Sequence, residues 1–155
     1  MYATVLQSHS LLRWVVLLML ALGTVRGARG WAAQLPYGRT DRVISLAALI
    51  AVDTQMVLGL LLHVWLSPIT RAGWGDIGTA MKDDTLRFFL VEHPFAMALA
   101  VVAVHVGRRR QKRAATDSAL HAVLAVSSLV ALVLVGIGMP WDRPMLRVLP
   151  TPPPS

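Results

Sequence analysis

The sequence predicts an all-α protein, an integral membrane four-helix bundle, and three observations predict it. The 155-residue chain is 55% hydrophobic and only 15% charged, whereas ordinary soluble domains are about a quarter charged. Its apolar residues gather into long runs, each sufficient for the roughly 20 residues that cross about 30 Å of hydrocarbon as a helix. Its arginines flank those runs instead of interleaving with exposed aromatics, so the net charge of +7 reads as membrane topology and no nucleic-acid partner is expected. The chain contains no cysteine, which removes disulfides, thiolate metal sites, iron–sulfur clusters and covalent haem attachment together.

The first span is placed at about Ala3–Arg26, the second at Val43–Leu66, the third at Thr85–Arg108 and the fourth at Ser118–Met139. Asp83–Asp84 and Thr116–Asp117 stand where N-caps of the third and fourth helices belong. Gly30, Pro36 and Gly38 punctuate the first loop, and Pro68, Gly73 and Gly75 the second. The spans make one domain over residues 1–148, and residues 149–155 are a proline-rich tail of polyproline type. Positive charge follows the first apolar run instead of preceding it, so the first span is expected to be retained and not cleaved as a signal.

Orientation follows from arginine and lysine. The first loop holds Arg26, Arg29, Arg39 and Arg42, and the third holds Arg108, Arg109, Arg110, Lys112 and Arg113. Positive loops stay on the cytoplasmic side, which puts both termini and the second loop outside. RRRQKR is a topology signal first and a contact for anionic lipid second.

Ionisable residues inside spans are costly and usually functional. This chain places His9 and Arg13 in the first span, Asp53 and His63 in the second, Glu92, His93 and His105 in the third, and His121 in the fourth. At 1.5 Å of rise per residue, His9 and His93 lie about 9 and 5 Å outside the midplane, and His105 and His121 about 13 and 11 Å inside it. Two layers result, an outer His9/His93 pair and an inner His105/His121 pair, with His63 shallower on the outer side. Depth-matched histidines on different helices are what a bis-imidazole haem requires, and without cysteine it would be non-covalent haem b, one or two per chain. Twelve residues separate His93 from His105, which leaves them about 120° apart around the helix unless Pro94 alters the angle.

Plainer roles compete with these. An interfacial histidine also satisfies itself on a carbonyl or headgroup, and His63, His105 and His121 lie near enough to a surface for that. Arg13 needs an anion, for which Glu92, Asp53 or a haem propionate would serve. Asp53, close to the midplane, is expected to pair with Arg13 or to carry a proton. Met56 and Met97 are read as filler, and Trp14, Trp65, Trp74 and Trp141 as interface markers.

The stretches HSLLRW (9–14), DTQMVLGLLL (53–62), MKDDTLRFFLVEHPFAMALA (81–100), HVGRRR (105–110) and ATDSALH (115–121) resemble a group of small bacterial four-span proteins labelled as b-type cytochromes. The likeness covers nearly the whole chain outside the tail, and the MKD…RFF.VEHP segment is its most specific part. The resemblance implies His9, His93, His105 and His121 as haem ligands, with Arg13, Arg87 and Glu92 around the outer site; His63 lies outside the pattern. Lys82 and Arg87 are further candidates for binding propionates, a quinone or a partner protein.

The leading expectation is therefore a multi-pass protein of the bacterial inner membrane that moves electrons across the lipid bilayer. It would act as a subunit beside other membrane-complex subunits, with quinone as a candidate partner. The alternative is a non-redox accessory subunit of a larger respiratory or photosynthetic complex. A haem-handling enzyme with one open axial position is a third class.

Overall fold

Small residues decide how closely the helices approach, and glycine spacing organises the bundle. A computed structural model of the chain describes residues 1–141 and is all-helical over them; the proline-rich tail lies outside the described residues. Helix α1 (Tyr2–Ala32) is followed by α2 (Arg39–Leu61), which continues through a π turn at Leu62–Leu66. Three short helices cap one end: α3 (Pro68–Gly75), α4 (Ile77–Ala80) and α5 (Asp84–Arg87). A second π turn at Phe88–Glu92 leads into α6 (His93–Gln111), and α7 (Asp117–Gly138) closes the bundle. Four of the resulting helical stretches, 2–32, 39–66, 84–111 and 117–138, are long and apolar enough to cross a membrane. With four such stretches alternating in direction, α7 ends at the end where α1 begins.

Helix α1 runs further than its apolar core suggests, through Arg26, Gly27, Arg29 and Gly30. The reason lies in its contact with α7. A Cβ at Gly27 would fall 2.5 Å from the Ala125 backbone nitrogen, and one at Gly23 2.5 Å from Ser128 Oγ. This is close small-residue packing of the kind that joins helices in membranes, where dispersion replaces the hydrophobic driving force. Gly30, expected as loop punctuation, is instead buried inside the helix against the His121 ring.

The caps follow local chemistry. Thr116 Oγ1 accepts from the Ala119 N–H at 3.2 Å to start α7, and Asp83 Oδ1 accepts from the Leu86 N–H at 2.8 Å to start α5. Asp76 Oδ1 accepts from the Thr79 N–H at 3.0 Å, and that bond, with the Thr79 hydroxyl, holds the Asp76 carboxyl below its ordinary pKa. Pro68 starts α3, where the missing N–H costs nothing. Ser67 is extended at φ −75°, ψ 123°, as a residue before proline prefers.

The core lies at mid-bundle: Val16 and Leu20 of α1, Ala48, Ala51 and Val52 of α2, Ala100 and Val104 of α6, Ala131 and Val135 of α7. Below it, at the arginine-rich end, sits a polar layer. Arg26 Nε donates to the fully buried Asp41 at 2.9 Å, and Asp41 also accepts from the Gly38 N–H at 2.9 Å. Ser45 donates to Gln111 Oε1 at 2.8 Å, and Gln111 donates to the Tyr37 hydroxyl at 3.2 Å. Burial, with the nearby Asp41 charge, pushes the Tyr37 phenol above its ordinary pKa. Both groups of every such pair are thereby satisfied without water, as a buried polar layer requires.

Candidate functional site at the terminal end of the bundle

Two histidines converge where the chain's wide helical turns lie. In the turn before α6 the His93 N–H bonds Phe88 O five residues back, and in the turn after α2 the Ser67 N–H bonds Leu62 O at 2.8 Å in the same manner. Pro94 explains the first. Its ring would clash with the carbonyl four residues earlier, Leu90, and it lacks the N–H that carbonyl would accept from. A wide turn relieves both demands, and such turns recur at functional sites.

The rings of His9 and His93 meet edge-on, with centres 6.4 Å apart and planes at 72°. They line a cavity of about 240 Å³ together with Arg13, His63, Phe89 and Met97. His93 Nδ1 lies 2.6 Å from Gly138 O. A carbonyl can only accept, so Nδ1 carries the proton and Nε2 keeps a free lone pair. Gly138 permits that approach, because a Cβ there would strike Met97 and Ala96. Phe88 and Phe89 stand 5.9 and 6.2 Å from the His93 ring, centre to centre. On the other side, Gln55 donates to the His9 carbonyl at 3.0 Å, and a Cβ at Gly59 would sit 3.2 Å from the His9 ring. His9 Nδ1 is buried with no hydrogen-bond partner. His63 lines the same cavity and packs edge-on against Trp74 at 5.7 Å.

The other sequence-stated candidates are placed differently. Arg13 reaches the cavity and lies 5.5 Å from the centre of the Trp14 ring. Glu92, expected beside the outer pair, turns away and accepts from Arg87 Nε at 2.8 Å; Arg87 also binds Asp84 at 2.9 Å. Lys82 is exposed in the cap. None of Lys82, Arg87 and Glu92 lines the cavity. Asp53, expected on Arg13 or as a proton carrier, has its Oδ1 2.8 Å from His105 Nε2 instead.

His105 and His121 are not brought together. A Cβ at Gly107 would meet Ser127, so α6 and α7 run in a register that sets His105 opposite residues near 129. His121 stands about eight residues away along α7, roughly 12 Å of rise. It is 1% exposed, pressed on Gly30 and edge-on to Tyr37 at 4.9 Å. His105 belongs instead to the α2–α6 seam.

Sequence reasoning missed Gly138, Gly59 and Gln55, which position the two imidazoles. The sequence carries no signal that singles them out: Gly136 interrupts the same apolar run as Gly138 and meets nothing within 4 Å. Among the described residues no group of three or more His, Cys, Asp or Glu is placed to hold a metal ion. No family model, curated protein or solved structure matches the chain. By its fold it is an all-helical bundle compatible with multi-pass insertion in a membrane.

Proposed function

We propose that the chain is a b-type cytochrome-like subunit of a bacterial inner membrane, holding one haem b between His9 and His93. The observation that carries this reading is the close approach of the two imidazoles at the cavity. A metal ion between two imidazoles, at about 2.0 Å from each nitrogen, puts the ring centres roughly 6 Å apart, and the observed separation is 6.4 Å. An edge-to-face ring contact falls in the same range, so two further features matter. His93 donates its Nδ1–H to a backbone carbonyl, the outer-shell arrangement that fixes a ligating tautomer. His9 offers a buried ring nitrogen that nothing else satisfies.

The two imidazole donors suit haem, whereas the cavity as it stands is too small for one. The cavity of about 240 Å³ is below the roughly 300–1,000 Å³ of ligand sites, so the flexible Met97 and Met139 of its lining must turn aside for a porphyrin. Haem iron supplies one-electron exchange at a potential set by its axial ligands and burial. The chain's own residues hold and orient the imidazoles through Gly138, Gly59 and Gln55, keep water out with Phe88 and Phe89, and bring the Arg13 cation to the rim for carboxylate groups. One site per chain follows, since His105 and His121 form no second pair.

The test is a reduced-minus-oxidised spectrum of protein purified from haem-replete cells. The expected result is a b-type α-band with one haem per chain, lost in both His9→Ala and His93→Ala and kept in His105→Ala. A folded, haem-free chain that co-purifies with a larger complex would overturn the reading in favour of an accessory subunit.

A further inference from the structure

One side of the terminal-end cavity is less closed than the others. Of the residues that line it, Leu60 of α2 and Ala98 of α6 are exposed, and all the rest are buried or half-buried, including Tyr2, Ile69 and Thr70 at the capped end. The opening therefore lies between α2 and α6. Leu60 and Ala98 stand about 11 Å and about 1 Å from the centres of the stretches 39–66 and 84–111. Both fall inside the roughly 15 Å between the centre of a bilayer and its headgroups. A cavity open at that height meets hydrocarbon, not water.

Packing explains why the gap falls there. At the height of the cavity, Gly59 lets α2 approach the His9 ring of α1, and Gly138 lets α7 approach Ala96 and Met97 of α6. Among the described residues no glycine brings α2 and α6 together. Those two helices are joined by side chains nearer the arginine-rich end, where His105 Nε2 lies 2.8 Å from Asp53 Oδ1 and Ser45 donates to Gln111 at 2.8 Å. Beyond these contacts each helix meets a wide turn, Leu62–Leu66 after α2 and Phe88–Glu92 before α6. Such turns recur at functional sites.

Given the membrane placement proposed above, we infer that this opening is the mouth of a binding site for a lipid-soluble molecule that carries a hydroxyl group and enters from the bilayer between α2 and α6. Its apolar body follows from the depth of the mouth and from the lining by Met56, Leu60, Met97 and Ala98. Methionine, flexible and polarisable, adapts to varied apolar shapes. The hydroxyl follows from Gln55. Its amide nitrogen donates to the His9 carbonyl at 3.0 Å, which fixes the amide's orientation. Gln55 Oε1 is left in the cavity wall, buried and without a donor among the described residues. A buried acceptor without a donor is costly, and no change of protonation relieves it, because an amide oxygen only accepts. An occupant that donates relieves it. Such a molecule reaches the imidazole pair from the lipid, with no aqueous step.

The test uses the full chain in liposomes and needs no haem, so its failure is distinct from a missing α-band. The liposomes carry a diazirine-tagged long-chain alcohol, its methyl ether, or a diazirine-tagged quinol, and photolabelled peptides are mapped by mass spectrometry. Saturable labelling around Leu60 and Ala98 is expected from a hydroxyl probe, about tenfold above the ether, as the loss of one buried hydrogen bond implies. Leu18 and Val133, exposed on α1 and α7, should label weakly and without saturation. Ala98→Trp, a bulky ring at an exposed position, should bring the mouth down to the level of those two residues. Gln55→Leu should equalise alcohol and ether; if that variant fails to insert, the comparison on the unaltered chain decides alone. Preference between alcohol and quinol distinguishes a chain from a ring as the occupant. Uniform labelling of all four stretches, equal labelling by alcohol and ether, or stronger labelling of the cavity by a water-soluble diazirine sugar would each overturn the inference.

Discussion

Gly27 and Gly136 are both glycines within membrane-length helices, yet their surroundings differ completely. A Cβ at Gly27 would fall 2.5 Å from Ala125 N and 2.9 Å from His121 O, both backbone atoms that cannot step aside. At Gly136 nothing lies within 4 Å. Gly27→Ala should therefore separate α1 from α7 and cost about 1–3 kcal/mol, the usual penalty of overpacking. Gly136→Ala should gain up to about 1 kcal/mol from helix propensity. Unfolding in detergent, followed by far-UV circular dichroism, distinguishes them; equal stability would show that the α1–α7 contact is looser than the geometry states. The residue identities that line the terminal-end cavity were legible in part. His9, His93 and Arg13 announced themselves because charge and imidazole are rare in apolar runs. Gly138 and Gln55 did not, because their effect is to place another residue's ring, and that depends on a neighbouring helix. The same holds for Asp53: its partner His105 is fixed by the α2–α6 register, which no spacing within one helix encodes.

At the scale of an element, the turn over Phe88–Glu92 sets where His93 points. One residue more or fewer per turn rotates everything beyond it by about 100°. The presence of Pro94 was visible in sequence, and so was its effect of loosening the helix; the particular outcome, a wide turn ending at His93, required the packing of Phe88 and Phe89 around the imidazole. Pro94→Ala restores the N–H that Leu90 O lacks and removes the ring that forces the turn open. The helix remains, so circular dichroism should not change. The His93 ring should swing from its line with His9, and haem retained per chain should fall about tenfold, as for other losses of ligand orientation. Haem retention equal to that of the unaltered chain would separate the turn from the site.

For the whole molecule, four crossings put the beginning of α1 and the end of α7 at one end, with the cap of α3–α5 over it and the arginine-rich loops at the other. The number and rough placement of the four long helices were legible because a sustained run of apolar residues suits a helix with its own hydrogen bonds satisfied, while their ends ran further than the apolar runs suggest. Packing geometry does not say which end faces the cytoplasm; the charge distribution supplies an expectation. Nine of the fifteen cationic side chains stand in the first and third connections and the helix ends that flank them, at Arg26, Arg29, Arg39, Arg42, Arg108, Arg109, Arg110, Lys112 and Arg113. The second loop mixes Arg71, Lys82 and Arg87 with Asp76, Asp83 and Asp84, three of each sign. If cationic loops stay on the cytoplasmic side, the His9/His93 cavity would lie toward the outer face, an expectation that topology reporters test. A reporter enzyme active only outside the cell should work when fused after Ser155 and fail when inserted near Ala114, and a cytoplasm-only fluorescent reporter should give the opposite pattern. Replacing Arg108, Arg109 and Arg110 together by glutamine should weaken the bias and yield a mixed population, whereas replacing Arg71 and Lys82 should not. An external reporter that works at Ala114 and fails after Ser155 would invert the molecule and move the candidate electron-transfer site to the cytoplasmic side.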